Sequence, residues 1–177
     1  MQCPWDLHAE YDELARSVRI VQKAGVWHQR AIHQLLRVVT LGAQSAYLER
    51  YVTTMWRTVY VTADWEARPI EERWATLRHE LVHVRQFERW GILMAVAYLL
   101  LPLPFGLAWF RMRFEREAYE ETLRAWHELG GRAACERLRE HILSQFTSGA
   151  YGWMWPFPRA LARWFDGFVA SLYKGET

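Results

Sequence analysis

The order of hydrophobic and polar positions predicts a mostly helical chain with one short β region. Apolar residues at helical spacing predict helices over about residues 9–23 and 26–39. Between about residues 46 and 62, β-branched and aromatic residues alternate with polar ones, which predicts strands at about 46–52 and 55–61. We expect the second strand to form a cleft edge, because an edge strand offers backbone groups to an extended peptide.

A long helix is predicted over residues 69–90. Pro69 suits the start of a helix, the two glutamates that follow it suit the positive end of the helix dipole, and Gly91 ends the pattern. Residues 91–110 carry no charge and are long enough to cross a membrane. Two prolines and a glycine interrupt this run, so we expect a helical hairpin that either fills the core or dips into a bilayer surface.

The pattern over residues 111–177 predicts helices and an aromatic loop. The fold class expected from the whole chain is α+β and mostly helical. We expect a small antiparallel sheet of two to three strands, packed on the helix over residues 69–90. With 177 residues the chain can bury its own core, so a single domain is expected. Its predicted parts are N-terminal helices (1–45), strands (46–62), the long helix (69–90), the apolar hairpin (91–110), a further helix (111–130) and C-terminal helices with the aromatic loop (131–177).

The composition and net charge of the chain argue against a disordered protein and against a nucleic-acid-binding protein. The chain is 51% hydrophobic and 15% aromatic, which excludes global disorder. A net charge of +2 gives no electrostatic footprint for nucleic acid, and the positive charge is nearly all Arg, with lysines only at Lys23 and Lys174. The start of the chain has no basic segment followed by an apolar one, so we expect no signal peptide. The two cysteines are then expected to be free thiols in a reducing compartment, which favours a cytoplasmic location.

The long helix carries the sequence His79-Glu80-Leu-Val-His83, which matches the HExxH pattern. Two histidines four residues apart project from one face of a helix and can bind the same Zn²⁺. Glu80 lies where a carboxylate can take a proton from a metal-activated water. The alternative is a chance match in a helix that contains His and Glu.

We expect the third metal ligand on the helix over residues 111–130. Glu115 falls within the apolar arc of this helix, where a carboxylate is costly unless it is paired or binds metal. Glu117, the rival third ligand, lies on the charged face. Glu115 is therefore the predicted ligand, and a salt bridge to an Arg at the edge of the core is the alternative.

Three further residues are candidates for supporting roles. Gln86 shares the sector of His79 and His83 and is predicted to contact a ligand or the substrate, with a solvated Gln as the alternative. Tyr119 lies one turn beyond Glu115 and is expected to hydrogen-bond a ligand. Tyr151, in the aromatic loop, would lie near the reacting carbonyl, and packing is its alternative role.

These residues resemble the gluzincin-type zinc metallopeptidases. The match consists of His79-Glu80-x-x-His83 and, on a separate helix, Glu115-x-Glu117-Ala, which is similar to the Glu-x-Glu-Ala-Asp segment of the HtpX-type membrane peptidases. The resemblance implies a zincin-like fold with the first Glu of that segment, Glu115, as third ligand. The chain departs from the pattern at Tyr119, where that family has Asp. The His-Glu-x-x-His-x-x-Gln form with Gln86 is also similar to small bacterial zincin-like proteins.

The function expected from these residues is zinc-dependent hydrolysis of peptide bonds, with an endopeptidase favoured over an exopeptidase. The partner is then a peptide or protein substrate, and the cofactor is Zn²⁺. Two alternatives stay open. One is a binding protein on a zincin scaffold that holds metal without turnover, and the other is a membrane-surface protein anchored by residues 91–110.

Overall fold

The structure is a computed structural model that describes residues 6–30, 33–34, 51–100, 108–148 and 154–173. It is mostly helical with a small sheet, which confirms the predicted α+β class. The chain falls into two compact units, Asp6–Ile92 and the part from Leu93 onward. The expectation of a single domain stays a prediction.

The first unit begins with helix α1 (Leu7–Arg16). The Asp6 side chain caps it by accepting hydrogen bonds from the backbone N–H groups of His8 and Ala9. The helix was predicted to reach residue 23, but it ends at Arg16, and Arg19–Gln22 form strand β1. The consecutive β-branched residues of this strand pair with another strand, and that pairing overrides their helical spacing.

The sheet has three strands in the order β1-β3-β2, with β2 at Thr53–Met55 and β3 at Thr58–Val61. Strand β1 runs parallel to β3, and β2 runs antiparallel to it, so the sheet is mixed and the predicted antiparallel sheet is wrong. The predicted cleft edge over residues 55–61 is also wrong, because β3 is paired on both sides. Among the described residues, strand β2 pairs with β3 alone and is an edge strand beside it.

The position of the predicted first strand needs a similar correction. Most of the range 46–52 lies outside the described residues, and residues 51–52 are not in a strand. The segment predicted as one strand over 55–61 instead contains the end of β2, a turn at Trp56 and Arg57, and β3. Residues 27–30 are helical, as predicted for the start of the second N-terminal helix.

Helix α2 (Ile70–Trp90) is the centre of the first unit, and its predicted bounds are confirmed. Helix α1 and strand β2 both pack on it. The core is anchored by two fully buried tryptophans, Trp65 and Trp74, and the Trp65 indole N–H donates to the Tyr11 hydroxyl. Gly91 ends the helix with a φ of +56°.

The second unit contains α3 (Ile92–Leu100, which begins at the last residue of the first unit), α4 (Trp109–Thr147) and α5 (Pro158–Tyr173). Helix α4 is kinked at Gly130 and Gly131, which confirms the predicted end of the helix over 111–130 and the start of another. Helix α5 packs on α4 around a core of buried side chains. This core consists of Met112, Tyr119, Leu123, Cys135, Ile142, Phe146, Met154, Leu161, Phe165 and Val169.

The predicted apolar hairpin is helical at its start and at its end, and residues 101–107 between these ends lie outside the described residues. On α3, Met94 is buried, whereas Ile92 and Leu93 are each 64% exposed. The face with these two residues therefore does not fill a core. No helix in the described ranges combines the length and the apolar character needed to cross a membrane.

Candidate metal centre

Helix α2 presents the two predicted histidine ligands on one face. His79 is half-buried, His83 is buried, and their ring centroids lie 5.1 Å apart. This is the arrangement that a spacing of four residues produces on a helix with 3.6 residues per turn. The predicted geometry of the pair is confirmed.

Gln86 fixes the orientation of one of these rings. It is buried, and its Oε1 lies 2.8 Å from His83 Nδ1. Because an amide oxygen only accepts hydrogen bonds, Nδ1 carries the proton and the lone pair of the ring lies on Nε2. Metal-binding histidines are typically held in this way by the nitrogen that does not face the metal. Gln86 therefore contacts a predicted ligand, and its supporting role stays a prediction.

The predicted general base, Glu80, is 5% exposed and accepts a hydrogen bond from a residue of the sheet. Thr54, on strand β2, donates a hydrogen bond from its hydroxyl to Glu80 Oε2 over 2.8 Å. The packing of β2 on α2 brings these two side chains together across 26 residues of sequence. The contact is a charge-assisted hydrogen bond in buried surroundings, where such bonds are strong.

Lys23 supplies a cation to the same buried region. Its side chain is fully buried, and its Nζ donates to the backbone carbonyl of Tyr51 over 2.9 Å. Burial lowers the pKa of Lys23 from 10.5 to about 7, and the attraction of the Glu80 carboxylate opposes part of this shift. Sequence reasoning missed this residue, although the near absence of Lys from an Arg-rich chain was a signal that could have pointed to it.

Glu115 lies on α4, where the helical wheel placed it. It is 3% exposed, whereas Glu117 is exposed, so the predicted difference between the two glutamates is confirmed. The Tyr98 hydroxyl, on α3, donates a short hydrogen bond to Glu115 Oε1. Arg111 in turn holds Tyr98, because its guanidinium lies over the phenol ring and donates to the Tyr98 carbonyl. Sequence reasoning missed Tyr98.

The two predicted tyrosine roles have different outcomes. Tyr119 is buried in the core of the second unit, where its ring centroid lies 5.5 Å from that of Phe146. Its predicted hydrogen bond to a ligand stays a prediction. Tyr151 lies outside the described residues.

The three predicted ligands form a group that could hold a metal ion. One ligand atom from each of His79, His83 and Glu115 lies within 4.8 Å of the other two. Ligands bound to tetrahedral zinc at about 2.0–2.1 Å are about 3.4 Å from each other, so a group whose ligand atoms lie within 4.8 Å has the size of a metal site. Two imidazoles and one carboxylate are also the protein ligands of a catalytic zinc that keeps a position open for water or substrate. The residues therefore fit the predicted cofactor.

No protein-family model, curated protein or solved structure matches the chain. The resemblance to gluzincin metallopeptidases consequently depends on the residues named above. It stays a prediction.

Proposed function

We propose that the chain is a zinc-dependent peptide hydrolase. The observation that carries this proposal is the grouping of His79, His83 and Glu115 ligand atoms within 4.8 Å. A metal site alone does not make a hydrolase, but this one has a buried carboxylate, Glu80, next to the first ligand in the sequence. The combination of two histidines, a carboxylate and an adjacent acid favours hydrolysis over a purely structural metal site.

The proposed mechanism assigns a role to each side chain. His79, His83 and Glu115 would hold the zinc, which supplies a Lewis acid for the peptide carbonyl and for a water molecule. Glu80 accepts a proton from the attacking water while the water oxygen forms a bond to the peptide carbonyl carbon. Glu80 then delivers that proton to the amide nitrogen as the C–N bond breaks, so the products are a carboxylic acid and an amine.

An extended substrate would align on β2, which takes the role first expected of residues 55–61. Within the described part of the sheet, β2 pairs with β3 on one side only. The strand also packs on α2, which carries the two histidines. A peptide added to this edge would form backbone hydrogen bonds beside the residues that act on it.

The test of the proposal is Glu80→Gln beside His79→Ala. The first variant keeps the shape of the side chain but removes the base, so we expect bound zinc to be retained and peptide hydrolysis to fall by at least about 100-fold. The second removes a ligand, so we expect zinc to be lost. Metal analysis of the purified chain should cover iron as well as zinc, because two His and one carboxylate also bind non-haem Fe(II). Stoichiometric iron, or full hydrolysis by Glu80→Gln, would contradict the proposal.

The exposed face of α3 favours a second function, contact with a membrane surface. Ile92 and Leu93 are each 64% exposed, and Val96, one turn along α3, is 39% exposed, so neighbouring apolar side chains on this helix face solvent. Residues of this kind insert into the region between lipid headgroups and acyl chains. This contact is compatible with hydrolysis, since a peripheral enzyme can carry both.

Flotation with liposomes separates the two functions. We expect the wild-type chain to float with vesicles and Ile92→Glu/Leu93→Glu to stay at the bottom of the gradient, because each buried carboxylate opposes insertion. Trp27→Glu is the matched control, since Trp27 is 78% exposed and lies on another part of the chain. Equal flotation of all three proteins would exclude α3 as the contact.

A further inference from the structure

The side chain of Glu80 is enclosed by residues that the proposed mechanism does not use. Thr54, on strand β2, donates to its Oε2 over 2.8 Å. Only 5% of Glu80 is exposed. A buried carboxylate is costly without hydrogen bonds, so this contact lowers the cost of placing Glu80 here.

The hydroxyl of Thr54 restricts a motion that matters for proton transfer. The last torsion of a glutamate is broad, so an unrestrained carboxylate points its oxygens in many directions. The hydrogen bond to Oε2 fixes this rotation, and the bond comes from an edge strand that is itself held by pairing with β3. A general base must lie within hydrogen-bond reach of the proton that it takes, and a fixed rotation meets this condition.

We propose that Thr54 is a positioning residue that holds the Glu80 carboxylate for proton transfer by fixing its rotation. The proton-transfer role of Glu80 rests on the proposed hydrolysis. The placement of the carboxylate by Thr54 does not, because it depends on a contact within Asp6–Ile92 alone.

The role of Thr54 is tested with Thr54→Val and Thr54→Ser. Valine keeps the branched shape and the strand preference but removes the donor, so we expect kcat to fall about 10–100-fold while KM and bound zinc stay near wild type. Serine restores the hydroxyl and should restore most of kcat. Thr53→Val is the matched control, because adjacent strand residues point to opposite faces of the sheet. A wild-type kcat in Thr54→Val, or equal losses in the Val and Ser variants, would overturn the assignment.

The same set of variants distinguishes this proposal from the proposed function. A chain that hydrolyses no peptide, but in which Glu80→Gln is coupled to Thr54→Val in thermal unfolding, supports the placement of the carboxylate and overturns the hydrolase. A chain that hydrolyses peptides, but shows no such coupling, supports the hydrolase and overturns the placement.

Discussion

At the scale of single residues, the two glutamates of α4 show what helical periodicity can predict. Glu115 and Glu117 have the same chemistry and are two positions apart, yet one is buried and the other is exposed. An offset of two residues is about 200° around a helix, which places them on opposite faces. The apolar pattern of the sequence alone was enough to distinguish them.

This difference predicts unequal effects on metal binding. We expect Glu115→Gln to weaken zinc affinity by more than about 100-fold, because a ligand contributes more than the residues that merely hold it, which contribute about 10–100-fold. Glu117→Gln is the matched control, with the same substitution on the exposed face and an affinity near wild type. Competition with a chromogenic chelator measures both. Equal affinities in the two variants would remove Glu115 from the ligand set.

Lys23, Thr54 and Tyr98 show what residue patterns do not predict. Thr54 contacts a residue 26 positions away, and Tyr98 contacts one 17 positions away on a different helix. Such contacts depend on how elements pack, which the periodicity within one element does not contain. The histidine pair and Gln86 were predictable because one helix fixes their spacing, whereas Thr54 and Tyr98, which contact their partners from other elements, were not.

At the scale of elements, the long helix and the presence of a small sheet were predicted, whereas the strand bounds and the mixed topology of the sheet were not. Helix α2 agrees with its predicted bounds because apolar spacing, Pro69 and Gly91 all indicate the same helix. The β2–β3 hairpin was not predicted because its turn residues, Trp56 and Arg57, are not those typical of a two-residue turn. Trp56 adopts a φ of +54°, and its ring stacks on Phe87. This tertiary contact stabilises a turn that the local sequence does not favour.

The kink in α4 depends on one glycine. Gly131 has φ +61° and ψ −153°, a region that is essentially restricted to glycine. Gly131→Ala should therefore lower the free energy of unfolding by about 1–3 kcal/mol, measured by denaturant titration. Gly167→Ala on α5 is the control, since an added methyl there meets open space and should stabilise the helix by up to about 1 kcal/mol. A neutral Gly131→Ala would show that the kink does not need this glycine.

At the scale of the whole molecule, two buried groups give stability a dependence on pH. The pKa of Lys23 is lowered by burial from 10.5 to about 7, so from about pH 7 upward the unfolded chain holds a proton that the folded chain has released. Stability should rise with pH over this window, by at most about 1.4 kcal/mol per pH unit. Below about pH 7 both states are protonated and this contribution is flat.

Cys135 acts in the opposite direction at higher pH. Burial raises its pKa from 9.0 to about 11, so between these values the folded chain keeps a proton that the unfolded chain loses, and stability falls. The rise due to Lys23 is therefore clearest between pH 7 and 9. Denaturant titrations at several pH values should show this rise in the wild type and not in Lys23→Met. Parallel curves for the two proteins would contradict the lowered pKa.

Because Lys23 is buried, the rate at which its amine is acylated measures transient local unfolding around it. The sequence contains one other lysine, Lys174. In the native fold the Lys23 amine is shielded from acylating reagents, and it reacts only when the segment around it opens transiently. Mass spectrometry of the peptide that contains Lys23, after timed exposure to an amine-reactive ester, would thus record how often the interior next to Glu80 meets solvent.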